Sequence, residues 1–248
     1  MDKVKRLAIL DKDGTLVGTK SGETFVQHPE DQILLPGVEE AIARLVDDGY
    51  ELVIASNQGG CLVRTCIPID FPVGAYYVNG TDKPIKVIRK KTVNLDGGVV
   101  LDFAEPRSNG KYYAYFMSSS QVKYQYKTLE DAIDETRYCL SLLRPIVGTS
   151  INNLIVYFCP DNGETCWLVK GDTKYFPPRL CNFNCGNYRK PNPEMLFAAI
   201  EEYRPMTASI TNWHKENCIM IGDRNEDEMA AFNANIKFLW ADEWRGAK

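Results

Sequence analysis

An α/β fold, with a parallel sheet covered by helices on both faces and a small β-rich insertion, is what this 248-residue sequence predicts. Three observations predict it. Short apolar runs of strand length alternate with segments of helical spacing, the pattern of strands joined by crossover helices. Polar clusters stand just past the ends of those runs, at Asp11/Asp13, Ser56/Asn57 and Asp223/Asp227, where open parallel sheets bind their ligands. One stretch, 62–127, breaks the alternation with β-forming runs (AYYV, IKVIRKKTV, GVVLDF, YYAYFM) divided by Asn-Gly and Asp-Gly-Gly turns.

The elements follow in order. Arg6 to Leu10 (RLAIL) reads as a buried strand that stops at Asp11-Lys12-Asp13-Gly14. Gly37 to Asp48 places Val38, Ala41, Ile42 and Leu45 at helical spacing, and Gly49 closes that helix. A second strand, Glu51 to Ala55, ends at Ser56-Asn57-Gln58-Gly59-Gly60. After the insertion, Thr128 is an N-cap with Glu130 and Asp131 in the first turn of a helix reaching about Leu143. Asn153 to Phe158 is the third strand and Pro193 to Tyr203 a further helix. Cys218 to Ile221, Glu226 to Asn233 and Ile236 to Trp240 complete the pattern as strand, helix and strand, with Trp240 and Trp244 packing near the C-terminus. Residues 1–61 and 128–248 thus form one core, and 62–127 the insertion.

Composition is that of an ordinary globular protein, 44% hydrophobic and 25% charged. The longest apolar runs fall far short of the ~20 residues a membrane helix needs, and the charged N-terminus carries no signal-peptide core. No membrane partner and a cytoplasmic location are the expectation. The formal net charge is −4, yet between Asn79 and Lys127 nine basic residues face four acidic ones. Such opposed charge suggests two units with different partners. The eight cysteines read as thiols or metal ligands rather than disulfides. Cys61, Cys66, Cys139 and Cys218 suit small buried apolar groups.

Two carboxylates two residues apart at a strand end suit a divided task. Asp11 can attack phosphorus while Asp13 handles the leaving-group proton. A carboxylate is repelled by a phosphate dianion, and a divalent cation neutralises that repulsion and orients the phosphoryl oxygens. Hard oxygen ligands such as Asp11 and Asp223 suit magnesium. Ser56 can donate to a phosphoryl oxygen, and Lys190 places a point charge at the head of a helix. Taken singly, DKDG would also serve as a plain turn, and Glu226-Asp227-Glu228 as charge compensation at a helix start. Four such elements in this order leave those readings little room.

In that order the segments resemble the haloacid dehalogenase superfamily: DKDGTL its first motif, Ser56 in IASNQGG its second, Lys190 in RKPNPEM its third and GDRNED its fourth. The resemblance implies a Rossmann-like core, Asp11 as nucleophile and Asp13 as general acid/base. It also implies phosphate binding by Ser56, Asn57 and Lys190, and magnesium held by Asp11, the Asp13 carbonyl and Asp223. Arg189 and Arg224, beside two of these, are candidates for substrate contact. Asn-Gln after the second motif and RKPNPEM are similar to the subgroup of heptose-bisphosphate, histidinol and polynucleotide 3′-phosphatases. Some of that subgroup hold zinc in a cysteine loop. Here Cys159, Cys166, Cys181 and Cys185 occupy the corresponding stretch, without the histidine and with wider gaps. Four thiolates suit a closed tetrahedral zinc site.

Insertions in this superfamily often act as caps that choose the substrate. The run KVIRKKT alternates Lys86, Ile88, Lys90 and Thr92 on one strand face with Val87, Arg89, Lys91 and Val93 on the other. With nearby tyrosines it could bind single-stranded nucleic acid, or it could be a solvated hairpin guarded by lysines. The expected activity is a magnesium-dependent phosphomonoester hydrolase, with a sugar phosphate or similar metabolite as leading substrate and a polynucleotide 3′-phosphate as the alternative. A non-catalytic binding protein ranks last, because Asp11, Asp13 and Asp223 are all retained.

Overall fold

The computed structural model describes residues 6–61, 64–66, 75–77, 84–92, 99–103, 112–118, 121–125, 127–173, 177–181, 186–203 and 215–246, the strands between 64 and 125 by their backbone. The chain divides into two compact units, Met1–Gln58 with Ile133–Lys248, and Gly59–Ala132. The first opens with β1 (Arg6–Leu10), β2 (Val17–Thr19), β3 (Gln32–Leu34), α1 (Val38–Asp47) and β4 (Tyr50–Asn57). The second holds β5 (Arg64–Cys66), β6 (Ala75–Tyr77), β7 (Pro84–Thr92), β8 (Val99–Phe103), β9 (Tyr112–Ser118) and β10 (Gln121–Gln125). Then come α2 (Leu129–Val147), β11 (Ile155–Cys159), β12 (Trp167–Lys170), β13 (Arg179–Leu180), α3 (Glu194–Glu202), β14 (Cys218–Gly222), α4 (Asn225–Ala234), β15 (Lys237–Trp240) and α5 (Ala241–Arg245).

The larger unit is built on a seven-stranded sheet ordered β13-β12-β11-β4-β1-β14-β15. The pairs β1–β4, β4–β11, β1–β14 and β14–β15 are all parallel. From β1 the chain steps outward through β4 to β11, then returns to the other side of β1 for β14 and β15. That reversal is a topological switch point, and its crevice lies beyond the carboxyl ends of β1, β4 and β14. The strands are apolar on both faces because both are covered: Ala8, Ile9, Leu10, Val53, Ile54 and Ala55 are fully buried. Helix α1 turns Val38, Ala41, Ile42 and Leu45 inward. Gly37 precedes it at φ +82°, where a Cβ would lie 2.4 Å from the Arg245 carbonyl oxygen, so glycine is required on both counts.

Several elements differ from the sequence reading. β4 continues through Asn57, so Ser56 and Asn57 are strand residues and not the start of a loop. α2 begins as expected, with Thr128 and Asp131 exchanging hydrogen bonds as a capping box. It continues to Val147 across Pro145, past the expected end at Leu143. Burial of Leu143 and Val147 holds that last turn against proline's lost hydrogen bond. The stretch read as a cysteine loop contains β12 and β13, which extend the sheet antiparallel from β11. α5 is an added short helix, and its Trp244 is buried as expected.

The smaller unit is an antiparallel sheet ordered β5-β10-β9-β8-β7-β6. The register of β7 slips between Val87 and Arg89, opposite β8. Val93 lies outside the described residues. Among those described, no helix is long and apolar enough to cross a membrane.

Candidate active site

β1 delivers Asp11 at its carboxyl end, where the Asp11 amide donates to the Ile221 carbonyl of β14 at 2.9 Å. The chain then turns so tightly that the Lys12 carbonyl accepts from both Leu16 and Val17 amides, at 2.9 and 3.0 Å. Gly14 makes this turn possible at φ +89°. A Cβ there would stand 2.2 Å from Asp223 Oδ2, so the glycine also leaves room for the carboxylate arriving from β14. Thr15, buried in the same turn, donates its hydroxyl to Asp223 Oδ1 at 3.4 Å.

Lys190 comes from the opposite side, just before α3, and is only 3% exposed. Its ammonium donates to Asp11 Oδ1 at 2.5 Å and to the Ala55 carbonyl at 2.8 Å, and pairs with Asp227 Oδ1 at 2.6 Å. A buried lysine pays a desolvation cost, but Asp11 and Asp227 outweigh it and hold Lys190 charged, above its ordinary range. Asp11, 6% exposed, is affected oppositely. Burial pushes its carboxyl up to about 7 against the pull of Lys190, with Asp227 and Asp13 adding to the rise. Burial likewise raises Asp223.

Asp11, Asp223 and Asp227 each offer a carboxylate oxygen within 4.8 Å of the others, the one such group among the described residues. The donor set fits a hard divalent cation. Three carboxylates and one ammonium leave two negative charges, which such an ion neutralises. Gly222 serves this cluster too, since a Cβ there would meet Asp227 Cβ at 2.4 Å.

The structure brings Asp11, Asp13, Ser56, Lys190 and Asp223 to one end of the sheet. Ser56 is buried, and its Oγ accepts from Gln58 Nε2 at 2.8 Å. Asn57 is placed differently from a phosphate ligand. Its amide brackets the Lys190 backbone, donating to the Lys190 carbonyl and accepting from its N–H, both at 3.0 Å. With both ends so engaged, its side chain holds the Lys190 segment against β4. Arg189 donates to the Asp161 carbonyl at 3.2 Å. Arg224 is exposed, with its Nε 3.9 Å from Asp223 Oδ2. Cys159 is buried and its Sγ lies 3.4 Å from Asp161 Oδ1. The Cys181 amide donates to the Cys166 carbonyl at 2.8 Å, and their thiols interact. Cys185 lies outside the described residues.

Two members of the site, Gln58 and Lys12, were not singled out from sequence, and a third, Asp227, was placed in a strand-end cluster but without its partner. Asp227 looked like a helix-start acid but turns inward to Lys190. Gln58 links Ser56 to Asp13, donating to Asp13 Oδ2 at 3.1 Å. Lys12, between the two motif aspartates, is fully buried and pairs with Asp13 Oδ1. Burial opposes its charge, but Asp13, then Glu135, outweigh that and raise it above the ordinary lysine range.

The model of a family described as polynucleotide kinase 3 phosphatase matches residues 6–243. The chain belongs to the polynucleotide kinase 3 phosphatase family. It is thereby a member of the haloacid dehalogenase-type phosphatases that its four motifs resemble. Among individual relatives, the D-glycero-beta-D-manno-heptose-1,7-bisphosphate 7-phosphatase of Bordetella bronchiseptica is 42% identical over 55 residues, 22% of this chain and 30% of that protein. The bifunctional polynucleotide phosphatase/kinase of Schizosaccharomyces pombe is 41% identical over 61 residues, 24% of this chain and 15% of that protein. The chain thus matches less than a third of the length of either relative. A crystal structure of D,D-heptose 1,7-bisphosphate phosphatase from B. bronchiseptica, complexed with magnesium and phosphate, has a TM-score of 0.45 and 18% identity, covering 94% of this chain and 78% of that one.

Proposed function

We propose that this polynucleotide kinase 3 phosphatase family member is a magnesium-dependent phosphomonoester hydrolase working through an aspartyl-phosphate. The observation that carries the reading is the buried Lys190 held between Asp11 and Asp227, beside Asp223. A nucleophilic carboxylate is kept in place by a fixed cation, in a setting two charges short of neutral. Asp11, Asp223 and the Asp13 carbonyl would hold the metal, with Asp227 beside them; bound there, it supplies charge neutralisation and orients the phosphoryl oxygens.

This chain's residues do the rest. An Asp11 oxygen forms a bond to phosphorus as the ester P–O bond breaks, and Asp13 gives its proton to the departing oxygen. Lys190 and Ser56 bind the phosphoryl oxygens. Asp13, now a carboxylate, takes a proton from water as that water attacks phosphorus, releasing inorganic phosphate and restoring Asp11.

For the substrate, the family match over 6–243 supports a 3′-phosphorylated polynucleotide, moving it ahead of the metabolite that the sequence put first. The heptose-bisphosphate likeness, over 22% of the chain, supports a sugar phosphate as second reading. A turnover panel of 3′-phosphorylated oligonucleotides, sugar phosphates and histidinol phosphate, with chelator and with magnesium, separates them. For the first reading, oligonucleotide turnover dominates and weakens with salt, by about −0.7 in log affinity per log salt for each phosphate neutralised. Alanine at Lys86 and Lys90 flattens that slope. A sugar phosphate turned over far better, with the oligonucleotide poor at any salt, selects the second.

A structural zinc on Cys159, Cys166, Cys181 and Cys185 is a further part of the proposal. Its support is the gathering of four cysteines in one stretch of sequence and the pairing of the Cys181 amide with the Cys166 carbonyl. The Cys159, Cys166 and Cys181 thiols do not converge as the three aspartates do, so closing the site would have to draw them together. Burial pushes the Cys159 thiol up to about 11, so metal binding must release protons there. Chelator-free protein should carry close to one zinc per chain, and elemental analysis finding none removes this part of the reading.

A further inference from the structure

Lys12 stands one residue from the nucleophile and one from the acid/base, yet it is fully buried and offers nothing to a substrate. Its ammonium is directed back at Asp13 Oδ1, with Gln32 Oε1 at 3.3 Å. Gln32 is itself buried and fixed, donating to the Pro29 carbonyl at 3.0 Å and to the Glu135 carbonyl at 2.9 Å. The other Asp13 oxygen, Oδ2, accepts from Gln58, whose amide also holds Ser56. Asp13 is therefore gripped by a donor from the end of β1 and another from the end of β4. Its side chain still keeps 37% of its surface exposed. An ammonium is costly to bury, and a packing role alone would be filled more cheaply by leucine or methionine.

The geometry points to Lys12 as a positioning residue for Asp13: with Gln58 it fixes the Asp13 side chain in the orientation from which the protonated carboxyl passes its proton to the leaving oxygen and the resulting carboxylate then receives one from water. This rests on the phosphohydrolase reading above and adds to it a residue outside the four motif roles. Proton transfer matters in proportion to the basicity of the leaving group. An alkoxide needs the proton, whereas p-nitrophenolate departs with little help. In the ester-cleaving step, misplacing Asp13 should therefore harm alkyl phosphates selectively, and general loss of structure would not make that distinction. The later attack of water, which Asp13 also assists, is common to both esters and does not enter kcat/KM.

The experiment compares the full chain with its Lys12→Met variant in magnesium, on an alkyl phosphate and on p-nitrophenyl phosphate. The variant should lose about 100-fold in kcat/KM on the alkyl ester and less than about 10-fold on the aryl ester, since a positioned general acid contributes about 10²–10⁴-fold to the ester-cleaving step that kcat/KM reports. Equal losses on both esters, or none on either, overturn the assignment while leaving the phosphatase reading intact. A wild-type chain inert on both overturns that reading and the assignment with it. Should Lys12→Met fail to fold by circular dichroism, Gln58→Leu removes the second donor and leaves the buried ammonium in place. A larger loss of kcat/KM on the alkyl than on the aryl ester is expected there too, on top of a loss common to both from the released Ser56 hydroxyl, and a ratio of the two losses near one overturns the assignment.

Discussion

Asp11→Asn abolishes phosphate release, with kcat down by about 10⁴-fold or more, a loss of roughly 5 kcal/mol of transition-state stabilisation. The amide cannot attack phosphorus, though it can still accept from Lys190. The same substitution should leave the fold as stable as before or more so. Asp11 titrates at about 7 in the folded chain against an ordinary 3.8. A carboxyl raised on folding is penalised in its charged form, so its cost appears as pH rises above about 4 and grows until about 7. Asparagine never carries that charge. Thermal unfolding at neutral pH, without metal, should show the variant's midpoint at or above wild type, and at pH 4 the two should converge. A clear drop in midpoint at neutral pH would contradict the electrostatic account of the site.

Lys190→Met should be damaging in both respects. Without the ammonium, Asp11 and Asp227 are two buried carboxylates with no cation between them. Breaking a buried pair from one side costs about 3–5 kcal/mol. Much of the cost is the exposed repulsion, so adding Asp227→Asn should recover part of the stability but none of the activity. Turnover should fall about 10³-fold or more, because Asp11 shifts further toward its protonated, non-nucleophilic form. Denaturant melts of the single and double variants, read beside kcat, check this. A double variant no more stable than the single one would mean that Asp227 does not feel the missing charge.

Much of this site was legible in the sequence because the fold puts it in a predictable place. The alternation of strand and helix fixes where each strand ends, and Asp11, Ser56 and Asp223 lie at or just past those ends. What escaped depends on distant partners. Asn57 follows Ser56 and shares its polar character, so it looked like a second phosphate ligand. Its actual partner, the Lys190 backbone, is 133 residues away. Asp227 sits in a helix first turn, where acids commonly balance the dipole, and only the folded chain turns it to Lys190. Lys12 looks like a turn lysine bound for solvent. Its burial is decided by Gln32 and by α2, which no local pattern announces. β12 and β13 escaped for a different reason. Four and two residues are too short to display a period, and they lie within the cysteine stretch.

The central claim is that Asp11 carries the phosphoryl group. An Asp13→Asn chain keeps the nucleophile but lacks the base that activates water, and p-nitrophenolate leaves without needing an acid. Mixed with magnesium and p-nitrophenyl phosphate bearing a labelled phosphoryl group, then quenched and digested, it should release about one equivalent of p-nitrophenol. The label should appear on the peptide containing Asp11, be lost on treatment with hydroxylamine, and be absent when Asp11→Asn is added. One equivalent of p-nitrophenol released with all the label already free as phosphate, or found on another residue, would contradict the account.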